Sequence, residues 1–159
     1  MSAFSFYIQS LAEEHVLVRH SEDECHFSDM ASDLAQKLRR KMNYPCVAID
    51  AEGFSLSGSS AQRYWVDAYT LYVVDHIRDT GDQQEVRVTM DAMKGILRDF
   101  LGRMMRDKQA GVGAVSLWDP SELEGFPVVM KDMALYGWGV SVLVPNQLNS
   151  LLCNEHFDK

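Results

Sequence analysis

Within twelve positions near the N-terminus, the stretch HVLVRHSEDECHF sets His15, His20, Cys25 and His26 among Glu22, Asp23 and Glu24. These are the residue types that ligand zinc or move protons. A structural zinc site, however, draws its ligands from two compact pairs, each closing a small chelate loop around a tetrahedral ion. Adjacent Cys25 and His26 point apart in helix and strand alike, and no second Cys or His pair follows, since His76 and His156 are isolated. The expectation is that no metal is bound here. The polar residues instead precede a candidate helix, where they can serve free amide donors and complement the dipole.

Other chemistry is equally short of a motif. Gly53-Phe54-Ser55-Leu56-Ser57 is the nearest approach to a nucleophile elbow, and it lacks the second glycine where the turn needs it. Of the glycine pairs that could cradle phosphate, 111–113 has no following helix and lysine, and 137–139 lies inside an expected strand. Asp67 and Asp75 sit on an otherwise apolar segment, where burial can perturb a carboxylate. An enzyme built on this chain, metal-dependent or small-molecule-processing, would have to combine one of them with His20, Cys25 and His26. No catalytic residue, metal ligand or cofactor is assigned.

The elements that must hold these residues follow from periodicity. Phe4, Tyr7, Ile8 and Leu11 share one side of a short N-terminal helix. Ser28 or Ser32 can cap a second helix, in which Met30, Leu34, Leu38 and Met42 recur every four residues until Asn43-Tyr44-Pro45 breaks it. The run CVAID then reads as a short buried strand, and the glycine- and serine-rich AEGFSLSGSSAQ as a mobile loop or a flexible hairpin connection. From Arg63 to Ile77, aromatic and β-branched residues fill both alternating positions, which predicts a long strand covered on both faces. A stripe of Val86, Met90, Met93, Leu97, Phe100 and Met104 predicts a helix over 83–107. Three strands close the chain: AVSLW, PVVM and LYGWGVSVLV. In the last, Tyr136, Trp138, Val140, Val142 and Val144 share a face, Gly137 and Gly139 leave the other bare to close approach, and Pro145 ends the sheet. The fold class expected is α+β in two layers, a mostly antiparallel sheet packed against one long helix and two shorter N-terminal helices.

Composition sets the class of protein. At 159 residues, 47% hydrophobic and 24% charged, the chain suits a single globular domain over 1–159 with an indeterminate tail at 146–159. No apolar run approaches the roughly 20 residues of a spanning helix, and the N-terminus lacks a signal-peptide pattern, so a cytoplasmic protein without membrane contact is expected. Cys25, Cys46 and Cys153 are odd in number, widely spaced and read as free thiols. A net charge of −8 repels phosphate backbones, which argues against nucleic-acid binding; Lys37, Arg39, Arg40 and Lys41 read as a solvated helix face.

Taken in order, the N-terminal helix, VRHSEDECHF, MNYPCVAID, the serine-rich loop, YTLYVVDHI, DAMKGILRDFLGRMMRD and LYGWGVSVLV resemble tail terminator or head-tail joining proteins of Bacteroidetes phages and prophages. The similarity spans about 4–144 and is one of pattern. It implies a non-enzymatic structural protein, present in the bacterial cytoplasm during assembly and then in the virion. Tail terminators of this α+β kind form a homo-oligomeric ring, usually of six subunits, that caps the tail tube and meets the head connector. No catalytic residue belongs to such a family, and a ring through which DNA passes gains by not gripping it. A monomeric binding or immunity module is the remaining alternative. On the residues themselves, the interaction element is the segment from Glu52 to Gln62, because Phe54 and Leu56 stand among small residues that cannot form a core of their own.

Overall fold

The computed structural model describes residues 2–29, 42–58, 63–121 and 123–147. Helix α1 (Ala3–Glu14) starts where the Ser2 hydroxyl accepts a hydrogen bond from the Ser5 amide, and its buried side chains Phe4, Ile8, Leu11 and Ala12 follow the helical period. Strand β1 (Phe27–Asp29) runs parallel to β2 (Cys46–Gly58) over three residues. Strand β3 (Arg63–His76) returns antiparallel to β2 and also pairs antiparallel with β5 (Leu135–Gln147). Helix α2 (Gln83–Gln109) and strand β4 (Gly125–Met130) lie between them in the chain, and a single 3-10 turn (Lys131–Met133) joins β4 to β5. Among the described residues the result is an α+β fold whose five-stranded sheet has the order β1-β2-β3-β5-β4. Three of its four pairings are antiparallel and β1 with β2 is parallel, so the sheet is mixed.

The long helix forms where its stripe lies. Asp82 caps it by accepting from the Gln84 and Glu85 amides, and Arg106 and Lys108 stand in the last turn, where cations suit the dipole. Met93, Leu97, Phe100 and Met104 are buried together with Ile96, whereas Val86 and Met90 are half-buried. Both helices press on one face of the sheet, where Val47, Ile49, Leu71, Val73, Val140 and Val142 form one core with Phe4, Ile8 and Phe100. The opposite face carries a smaller cluster of Cys46, Ala48, Val74, Val128 and Leu135. From Tyr69 to Val74 strand β3 is thus covered on both faces, as its lack of alternation predicted, whereas Tyr64, Trp65 and Asp67 are only half-buried.

Gly137 is fixed by close approach, because a Cβ there would overlap the carbonyl oxygen of Val73. Phe126 lays its ring over Gly139 and meets Tyr72 edge-on. The bare strand face expected at these glycines is therefore filled by neighbouring backbone and one aromatic ring.

Several expectations are corrected. Instead of capping a helix, Ser28 is in the middle of β1, and one short N-terminal helix, not two, is present among the described residues. The remainder of the expected second helix lies at 30–41, outside the described residues. AVSLW is no strand: its amides close successive tight turns, Val115 to Val112 and Trp118 to Val115, which send Trp118 wholly into the core. Strand β5 continues through Pro145 to Gln147. Most consequential, AEGFSLSG forms no loop but the second half of β2.

Candidate functional site

The histidine-rich segment is spent on backbone. His26 is buried and donates from Nδ1 to the Pro45 carbonyl at 2.8 Å, while its amide donates to His20 Nδ1 at 3.2 Å. Cys25 Sγ lies 3.5 Å from both the Phe27 carbonyl and Met42 Sδ. Ser21 and Glu24 close the intervening bend with two 3.0 Å bonds. His15 is elsewhere, at the end of α1, so the four residues do not converge on one point. Among the described residues no group of three or more His, Cys, Asp or Glu side chains is placed to hold a metal ion. Cys25 and Cys46 are free thiols, and burial pushes the Cys46 thiol far up, which keeps it protonated and unreactive.

The two carboxylates of β3 lie near its opposite ends. Asp67 accepts from Trp65 Nε1 at 2.7 Å and from Asn146 Nδ2 at 3.0 Å, which occupies both of its oxygens. Asp75 is half-buried, and burial raises its carboxyl above the usual value in spite of the 2.7 Å bond from the His76 amide. Nearby Tyr44 has its phenol pushed up to about 12, chiefly by burial.

Where α1 ends against the middle of α2, an open groove of about 260 Å³ is lined in part by Glu14, His15, Asp99, Phe100, Arg103 and Arg106. Its charges face one another. His15 Nε2 stands 3.5 Å from Asp99, Arg103 donates to Glu14 at 2.9 Å and to both oxygens of Asp107 at 3.0 Å, and Tyr7 donates to Asp107 at 2.8 Å. Burial drives the Tyr7 phenol up. It also opposes the Asp107 charge, but the bonds from Tyr7 and Arg103 outweigh that and lower the carboxyl. The arrangement clamps α1 to α2.

Large apolar side chains are also exposed on the arm formed by the far halves of β2 and β3, where Phe54 and Leu56 stand in solvent. A bulge at 51–53 adds a residue to β2, with Gly53 at φ +155°, a conformation that L side chains rarely adopt. Its consequence is a change of face. Without the bulge Phe54 and Leu56 would point away from the helices; with it they share a face with Asp67 and Trp65, their opposite numbers on β3, in line with the core residues Tyr69 and Leu71. Residues 51–58 nevertheless lie beyond the helices and are all exposed. Phe54 stacks on Trp65 at 4.1 Å and 15°, yet remains 65% exposed, with Leu56 at 58%. Phe54 and Leu56 are thus where the sequence placed an interaction element, but on a strand instead of a loop. Trp65 is the member of this site that the sequence did not disclose, and Asp67, singled out there only as a carboxylate on an apolar segment, joins it; the signal was the FxL pattern lying in register with WxD across the hairpin.

No protein-family model matches the chain, and no curated protein matches it.

Proposed function

We propose that this chain is a non-enzymatic structural subunit that works by self-association, assembling into a ring of the kind that its resemblance to tail terminators implies, on a phage tail tube. One observation carries the self-association: a β-arm that extends the core face of the sheet beyond its helices and holds Phe54 and Leu56 in solvent on a defined backbone. Large apolar side chains displayed in register are the usual makings of a partner surface. The acidic balance agrees with a ring that lets DNA pass. A catalytic reading through His20, Cys25, His26 and Asp67 or Asp75 draws less support, since their polar atoms are engaged by backbone and neighbours at separate places.

Sedimentation velocity over a concentration series tests the proposal, comparing wild type with a Phe54→Ser, Leu56→Ser double variant whose fold is checked by circular dichroism. Wild type is expected to form a discrete oligomer, which the variant loses or forms at least about tenfold more weakly, as removal of a central apolar contact does. A wild type that stays monomeric, alone and with a tail-tube protein present, overturns the reading.

A further inference from the structure

Sheet edges decide how such a chain can join another. Among the described residues the sheet has four stretches of strand whose outer edge faces no neighbour. Strand β1 offers three residues. The outer edge of β4 carries Pro127, and that of β5 beyond Val140, where β4 stops, carries Pro145. Proline in a ladder is tolerated where its nitrogen faces away from the paired strand, so each leaves its outer edge short of a donor. The fourth stretch is β2 beyond Asp50. There β1 has ended, and the edge residues Gly53-Phe54-Ser55-Leu56-Ser57 contain no proline, lysine or arginine and no charge of either sign. Three edges are short or lack a donor. Among the described residues this one is open, regular in register with β3, and apolar on one face.

We infer that the β2 edge is a strand-addition site whose occupant is the β2 edge of a second copy of this chain, paired antiparallel about a two-fold axis at Ser55. The inference rests on the self-association reading and specifies its contact. Register selects the pairing. Opposite residues in an antiparallel ladder share a face, so a two-fold pairing must match Phe54 and Leu56 with residues of the same face. Centring on Ser55 sets Phe54 of each copy against Leu56 of the partner subunit, twice over, and continues the apolar row past both Trp65 rings. Shifting the centre to Leu56 sets Phe54 against the Cβ-less Gly58 of the partner subunit; shifting it to Phe54 brings Leu56 toward the bulge at Glu52. The Ser55 register also carries the two Glu52 carboxylates to opposite ends of the contact, out of mutual repulsion, and leaves only serines on the other face. Such a contact is isologous and closes after two copies. A larger assembly that uses it is joined through a second surface.

Cysteine substitution reads the register directly. Ser55→Cys places two thiols opposite each other at the axis, within disulfide reach, whereas Ser57→Cys places its pair several residues apart. Each full-length variant is treated with mild oxidant and resolved by non-reducing electrophoresis, with wild type giving the background of Cys25, Cys46 and Cys153. The expected result is about tenfold more covalent dimer for Ser55→Cys than for Ser57→Cys, given the distance dependence of disulfide formation. If wild type self-associates in sedimentation and the two variants cross-link equally, strand pairing at β2 is overturned while self-association stands. If wild type is monomeric and neither variant cross-links above background, both fall.

Discussion

Strand β2 is two structures in one. Its first half, Cys46 to Ile49, is wholly buried between β1, β3 and the two packed faces; its second half, 51–58, is exposed at every position. Both halves contain apolar residues, and both pair with the same neighbour, β3. What separates them is cover, since α1 and α2 lie over the first half and stop short of the second. Apolar content in a strand thus states a capacity for burial, of which the subunit itself uses only part.

Four changes should sharpen or break that contrast. Leu97→Ala, in the centre of the α2 stripe at 5% exposure, leaves a cavity between helix and sheet and should cost about 2 to 5 kcal/mol in denaturant unfolding. A loss under about 0.5 kcal/mol, the ordinary range for surface positions, would mean that the covered end is no tighter than the arm. Gly137→Ala should cost about 1 to 3 kcal/mol as overpacking, because its new methyl meets the backbone of Val73, which has no flexible side chain to give way. Thermal melts that leave the midpoint unchanged would show that the strands separate there freely.

A smaller effect attaches to Asp75, whose carboxyl is raised by burial. A raised folded value means that the protonated form is favoured by folding. That contribution is complete below the ordinary value of 3.8 and is lost as pH rises through the folded value, so the ionised carboxylate weighs against stability at neutral pH. Asp75→Asn should therefore be more stable than wild type near neutrality, with the gap closing as pH falls toward 3.8. A gap that widens in acid would reverse the sign and place the carboxylate in a favourable pairing. The smallest effect on folding belongs to the arm. Phe54→Ser with Leu56→Ser should change monomer stability by no more than about 0.5 kcal/mol per site, as exposed positions do, while association is lost. A cooperative loss of stability comparable with that of Leu97→Ala would make the arm part of the core.

The covered end could be read along the chain. The α2 stripe, the unbroken apolar run of β3, the first half of β2 and the shared face of β5 were all legible, because a side chain that must be buried repeats with the period of its own backbone. The sequence also pointed to Phe54 and Leu56, whose size among serines and glycines marks them whatever the local backbone. The rest depends on contacts between segments distant along the chain. Phe27–Asp29 is too short to show a period and exists as a strand because Val47 to Ile49 lie beside it. AVSLW alternates like a strand yet folds as turns that bury both Val115 and Trp118, and among the described residues no strand pairs with it. The arm is the clearest instance: glycine and serine lower intrinsic strand preference, but twelve β2 residues in register with β3 supply a ladder that local preference does not encode. The face on which Phe54 and Leu56 appear was set by one added residue, Glu52, a choice made by pairing across the sheet and invisible along the chain.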